Sequence, residues 1–216
     1  MPSRVQKERN IVPFRTKSQL VLFVTDASSS MTETTIGNLS KIDALNQVVR
    51  NLFYRLKESR IKQNFDIACI DFAIDARIVL NPVQLITLNP ETFSLVTSIR
   101  NGGTNLTEAL EKAKEMSVNY IQTSNVRSSV VIFILTDGEA NIREDELPRI
   151  ASEIKAKGIK IAVCLLPSLD ESISSIARNM MKSIASSDEL YTEERDIEKI
   201  RNFFMTTLTK ETNVNL

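Results

Sequence analysis

The most constraining feature of this chain is the alternation of short apolar runs with longer segments of helical periodicity. The runs are rich in Val, Ile and Phe, a composition typical of strands, several of them buried on both faces. They span Leu20 to Thr25, Phe65 to Phe72, Ala76 to Leu80, Val130 to Thr136 and Ile159 to Leu165, and Glu189 to Thr192 predicts a short last strand.

Amphipathic segments lie between most of these runs. The clearest covers Lys41 to Glu58, where Ser40 and Asp43 form the pattern of a capping box. Further helices are predicted after Thr104, from about Asp145 to Lys157 before Gly158, within Asp170 to Ile184, and from about Arg195 to Leu208. Strands that alternate with helices predict a mostly parallel sheet with right-handed crossovers and helices on both faces.

One connection breaks the alternation. Only Ala73-Ile74-Asp75 separates the second and third runs, which is too short for a crossover helix and predicts an antiparallel hairpin at a sheet edge. We therefore predict an α/β fold with a doubly wound, mostly parallel six-stranded sheet of order 3-2-1-4-5-6. At 216 residues and 42% hydrophobic content we expect a single domain over residues 18–209, with polar ends at 1–17 and 210–216.

Oxygen-bearing side chains follow the apolar runs at separate points of the sequence. Asp26, Ser28 and Ser30 stand at alternate positions after the first run, Thr104 follows Gly102-Gly103, and Asp137 ends the fourth run. Alternate residues of an extended segment project from one side. In a doubly wound sheet the first and fourth strands are neighbours at the switch point, where ligands bind outside the carboxyl ends of the strands. These residues are therefore predicted to form one site.

The composition of this set favours a hard divalent cation. Carboxylate and hydroxyl oxygens suit Mg²⁺, with Mn²⁺ or Ca²⁺ as alternatives. Because only Asp26 and Asp137 carry charge among the five residues, the set leaves a coordination position for a ligand from outside.

Composition excludes several other functions. The chain contains 0 His, which rules out Ser-His-Asp and HExxH chemistry, and its formal net charge of zero offers no electrostatic footprint for nucleic acid or anionic lipid. Cys69 and Cys164 lie in apolar runs without CxxC spacing and are interpreted as buried thiols in a reducing compartment. With no signal-type or membrane-spanning apolar segment, we expect a cytoplasmic protein.

The ordered motif resembles the metal-ion-dependent adhesion site of the von Willebrand factor A domain family. That site has the pattern D-x-S-x-S, then T, then D, and Asp26, Ser28, Ser30, Thr104 and Asp137 match all five positions over a resemblance from about residue 19 to 208. The resemblance implies a protein-binding module whose partner completes the metal sphere with an Asp or Glu.

Two further segments are similar to the bacterial TerY-like group within that family. They are G-G-T-N-L at 102 to 106 and I-R-N-F-F at 200 to 204. This similarity implies a role in a tellurite-resistance or stress system with kinase or phosphatase partners. The chain departs from the family pattern at Ser29, where many relatives have Gly, and at Met205, where the group commonly has Trp.

Two other functions stay open on the sequence. A strand-ending aspartate such as Asp26 also serves as the nucleophile of Mg²⁺-dependent phosphatases of the haloacid-dehalogenase type, although these generally have D-x-D-x-T and the second carboxylate is here Ser28. A structural scaffold with a degenerate site is the other alternative.

Overall fold

The computed structural model describes residues 15–34, 38–138, 146–167 and 174–212, without the side chains of the last two. Six strands form one sheet: β1 (Lys17–Asp26), β2 (Phe65–Phe72), β3 (Ala76–Gln84), β4 (Arg127–Thr136), β5 (Lys160–Leu165) and β6 (Tyr191–Glu193). Their order is β3-β2-β1-β4-β5-β6, and every neighbouring pair is parallel except β2 with β3. The predicted fold class, strand order and antiparallel edge strand are confirmed.

Five α-helices connect and cover these strands in the described part of the chain. They are α1 (Lys41–Glu58), α2 (Leu106–Thr123), α3 (Glu146–Ala156), α4 (Ser175–Ile184) and α5 (Ile197–Thr212). The Ser40 hydroxyl accepts the Asp43 backbone N–H at 3.1 Å and donates to the Asp43 carboxylate at 2.6 Å, so the predicted cap of α1 is present. Part of the predicted third and fourth helices, at 145 and 170–173, lies outside the described residues.

The sheet divides the core into two apolar layers because successive side chains of a strand point to opposite faces. Phe23 and Phe133 pack with Phe204 between the sheet and the pair α1 and α5, with ring centroids 4.8 to 6.2 Å apart. Leu22 and Val24 lie on the other face, under α2, α3 and α4. The two packed layers hold β1 and β4 in fixed register at the centre of the sheet.

The strand boundaries differ from the predicted ones where polar residues take part in pairing. β1 begins at Lys17, three residues before the apolar run, and Ser18 there lies 2.7 Å from the Ser128 hydroxyl of β4. β3 continues to Gln84 and includes Pro82, with an irregular register against β2. The predicted last strand is displaced, because Asp188–Leu190 is a 3-10 turn and β6 begins at Tyr191.

Candidate metal centre

The two aspartates of the predicted site lie at the carboxyl ends of neighbouring strands. Asp26 is the last residue of β1 and Asp137 follows the last residue of β4, and the two strands are paired in parallel up to Thr25 and Leu135. Both side chains are buried, with 0% exposure for Asp26 and 2% for Asp137. The fold thus brings two acidic groups that are 111 positions apart in sequence to the same edge of the sheet.

Hydrogen bonds fix the Asp26 carboxylate at this edge. Oδ1 accepts the backbone N–H of Ser28 at 2.9 Å, and Oδ2 accepts the hydroxyl of Thr136 at 2.7 Å. The Thr136 hydroxyl oxygen in turn accepts the N–H of Gly138 at 3.2 Å, where a φ of 86° favours glycine. Thr136 therefore ties the end of β4 to the aspartate at the end of β1.

The two serines continue from Asp26 into a short turn. Ser28 precedes the 3-10 turn Ser29–Thr32, and the hydroxyls of Ser28 and Ser30 lie 3.0 Å apart. Met31, which is fully buried, anchors this turn in the core. Asp26 is thus bonded to Ser28 and Ser28 to Ser30, but Ser30 lies in a 3-10 turn and not in the extended segment that the alternate spacing predicts.

Thr104 lies in the loop that packs against this turn. The Arg100 N–H donates to the Ala27 carbonyl at 2.8 Å, and the Asn105 N–H donates to the Ala73 carbonyl. Gly102 and Gly103 have φ values of 109° and 129°, which let the loop turn back before α2. Thr104 is 4% exposed, so its side chain is almost completely enclosed.

Burial and the neighbouring charge of Asp137 make ionisation of Asp26 unfavourable. Burial, followed by the charge of Asp137, raises the pKa of Asp26 to about 6, against the opposing effect of its hydrogen bonds from Ser28 and Thr136. A divalent cation would compensate both charges, and the surrounding donors are oxygen atoms that suit Mg²⁺. In the described part of the chain, no group of three or more His, Cys, Asp or Glu side chains is arranged to hold a metal. This agrees with a donor set that contains hydroxyls and two carboxylates.

The structure adds a residue that the motif does not include. The Lys41 ammonium, at the start of α1, donates to Oδ2 of Asp137 at 3.1 Å and to the Glu33 carboxylate at 2.8 Å, and the Lys41 side chain is only 1% exposed. One signal was present in the sequence: lysine in the first turn of a helix opposes the positive end of the helix dipole. A lysine at that position is therefore mildly unfavourable unless it is solvated or lies near a negative charge.

The family assignment follows from the sequence as a whole. The model of the von Willebrand factor type A domain matches residues 21–206. The chain belongs to the von Willebrand factor type A domain family. A search of curated protein sequences finds no significant match.

Solved structures with the von Willebrand factor A fold are similar over most of this chain. The conserved hypothetical protein BatB from Bacteroides thetaiotaomicron has 18% identity and a TM-score of 0.62, over 90% of this chain and 99% of that chain. The pilus adhesin SpaC from Lactobacillus rhamnosus GG has 14% identity and a TM-score of 0.69, over 90% of this chain and 30% of that chain.

Proximal thread matrix protein 1 from the mussel byssus, solved with a zinc-occupied MIDAS motif, has 16% identity and a TM-score of 0.63, over 91% of this chain and 46% of that chain. At these identities the likeness shows the fold. Domains of this family often mediate protein-protein interaction through a metal-ion-dependent adhesion site, which binds a divalent metal. None of the helices in the described ranges is long and apolar enough to cross a membrane.

Proposed function

We propose that the protein is a non-enzymatic, metal-dependent protein-binding module. Asp26, Ser28, Ser30, Thr104 and Asp137 hold a divalent cation, and a partner protein supplies an Asp or Glu to that cation. The observation that carries this proposal is the meeting of two buried carboxylates, whose repulsion contributes to raising the pKa of Asp26 to about 6, beside the paired hydroxyls of Ser28 and Ser30.

Mg²⁺ is the proposed ion, with Mn²⁺ or Ca²⁺ as alternatives. The donors supplied by the chain are carboxylate and hydroxyl oxygens, which are hard ligands, and the partner carboxylate is of the same kind. Calorimetry of the metal-free protein with Mg²⁺ tests the site. We expect one bound ion in the wild type and none in Asp26→Ala. Asp26 is buried at the end of β1 but belongs to neither apolar layer, and burial and Asp137 disfavour its charge, so the fold of the variant should remain largely intact. Equal affinity in both proteins would refute the site.

The role of a partner carboxylate has a separate test. Proteins that co-purify in Mg²⁺ and are lost in EDTA are the candidates, and their surface Asp and Glu residues can be changed singly to Asn and Gln. We expect one such change to cost on the order of 2 to 5 kcal/mol of binding free energy, because it leaves a desolvated cation without its last ligand. Binding that is the same in EDTA would contradict this mode of recognition.

The cellular setting is proposed on narrower grounds. The TerY-like segments at 102 to 106 and 200 to 204 support a bacterial stress or signalling complex with a kinase or phosphatase partner. The free thiols of Cys69 and Cys164, both buried in the sheet, support a reducing compartment and hence a cytoplasmic location. Identification of co-purified proteins tests the cellular setting directly.

We also propose that residues 18–209 form one domain.

A further inference from the structure

A buried lysine lies at the metal centre. The Lys41 ammonium is held between Oδ2 of Asp137 at 3.1 Å and the Glu33 carboxylate at 2.8 Å, and the Lys41 backbone N–H also donates to the Glu33 carbonyl at 3.0 Å. Glu33 is 47% exposed, whereas the side chains of Lys41 and Asp137 are almost completely enclosed. The pair of Lys41 with Asp137 is therefore the desolvated one, in which charge interactions are screened least.

The position of Lys41 is costly without an electrostatic role. Removing an ammonium from water is strongly unfavourable unless it is paired, and the start of a helix adds the repulsion of the helix dipole. Anchoring the Glu33 loop to α1 would need no charge, because the backbone bond already joins Lys41 to Glu33. A buried positive charge on one oxygen of a proposed metal ligand has a direct electrostatic consequence for any cation that binds there.

We propose that Lys41 is a second cation of the metal centre, which opposes the divalent ion at Oδ2 of Asp137, weakens its binding and strengthens the attraction of the occupied centre for a partner carboxylate. The ammonium and the divalent ion would share one of the two buried carboxylates of the proposed ligand set. Glu33, which is partly exposed and lies 2.8 Å from the ammonium, offsets part of the positive charge of Lys41. Metal affinity should therefore respond to the charges of both Lys41 and Glu33.

This inference rests on the proposed function, and its test separates the two. The decisive comparison is between Lys41→Met and Glu33→Gln, because both substitutions break the same ion pair but change the charge of the centre in opposite directions. Calorimetry with Mg²⁺ alone should show binding about tenfold or more tighter in Lys41→Met, and several-fold weaker in Glu33→Gln, on the order expected for one charge near a partly desolvated ion. If the ion pair only anchors the loop, both variants bind Mg²⁺ more weakly, and the inference is wrong.

Three further variants keep the comparison interpretable. Lys41→Arg retains the charge and should bind Mg²⁺ within a few-fold of the wild type. Lys41→Gln keeps a donor for Asp137 and removes only the charge, so it replaces Lys41→Met if that variant does not fold. Lys114→Met removes a lysine from ion pairs with Glu111 and Glu153, neither of which belongs to the proposed ligand set, and should leave Mg²⁺ affinity unchanged.

Acetate serves as the probe for the partner carboxylate. In the wild type, replacing chloride by acetate should strengthen the binding of Mg²⁺, and in Lys41→Met this gain should be smaller. An equal gain in both proteins, or no gain in the wild type, overturns the part of the inference that concerns the partner. Absence of Mg²⁺ binding by the wild type would instead refute the proposed function itself.

Discussion

The guanidinium of Arg100 lies 2.7 Å from the carboxylate of Asp71, at the end of β2, and joins that strand to the loop before α2. Asp71 is fully buried and also accepts the backbone N–H and the hydroxyl of Thr97 at 2.9 and 2.7 Å. The same loop carries Thr104 and bonds to the carbonyl of Ala27 through the Arg100 N–H. This ion pair thus supports the predicted metal ligand Thr104 from a neighbouring strand.

Removal of Arg100 should affect both stability and the metal centre. Arg100→Met leaves the buried Asp71 carboxylate without its cation, which should lower the free energy of unfolding by about 3 kcal/mol. It should also weaken Mg²⁺ binding because the loop of Thr104 loses an attachment. Chemical denaturation and calorimetry measure the two effects. The matched control is Arg77→Met, which removes an exposed pair with Asp75 and should cost less than about 1 kcal/mol; equal losses in the two variants would contradict this assignment.

Asp26→Asn should stabilise the metal-free protein while removing the metal site. Since burial and Asp137 raise the pKa of Asp26 to about 6 from 3.8, the ionised carboxylate is unfavourable in the fold at neutral pH. Replacing it by a neutral isostere should raise the free energy of unfolding by up to about 3 kcal/mol in EDTA at pH 7. Denaturation in EDTA measures this gain. In saturating Mg²⁺ the wild type should instead be the more stable of the two proteins. If Asp26→Asn is less stable than the wild type in EDTA, the ionised Asp26 carboxylate is not unfavourable in the fold.

The raised pKa of Asp26 also predicts that stability depends on pH. The pKa of Asp26 is higher in the folded state than in the unfolded state, so the folded state binds the proton more tightly. The contribution of Asp26 to stability is therefore most favourable below about pH 4, and it decreases as the pH rises through about 6. The measurement is the difference in unfolding free energy between the wild type and Asp26→Asn in EDTA from pH 4 to 8. A difference that does not vary over this range would be inconsistent with the raised pKa.

The purified protein should hydrolyse neither phosphate esters nor nucleotides. Phosphatases of the haloacid-dehalogenase type have a second carboxylate two residues after the nucleophilic aspartate. At that position this chain has Ser28, whose backbone N–H donates to the Asp26 carboxylate. Assays with p-nitrophenyl phosphate and ATP, each with Mg²⁺ and with EDTA, check this expectation. Turnover that needs Mg²⁺ and disappears in Asp26→Ala would favour the phosphatase alternative.

The central strands could be predicted from the sequence because their apolar runs coincide with burial on both faces. β2 is buried at all eight positions and its predicted bounds are those observed. β3 is largely exposed, and its last residues, Asn81 to Gln84, combine two polar side chains with a proline and a valine and carry no strand pattern. The length of β3 is set by its pairing with β2, and a local sequence pattern carries no information about that pairing.

The candidate site shows the same division between local and distant effects. The spacing of Asp26, Ser28 and Ser30 is local, and the strand order then places Asp137 beside them. The pairing of Lys41 with Asp137 joins the start of α1 to the end of β4, across a separation of 96 positions in the sequence. The pairing of Arg100 with Asp71 likewise forms only after the loop has folded onto β2.

Pro82 and the shortness of β6 together have a consequence for self-association. β3, which contains Pro82, and β6 are the two edge strands of the sheet, where another chain could add a strand by main-chain hydrogen bonding. Proline has no N–H to donate, and β6 has three residues, so each edge provides only a short or interrupted ladder for such an addition. We therefore expect both edges to disfavour edge-to-edge polymerisation, even though the sheet consists of largely apolar strands.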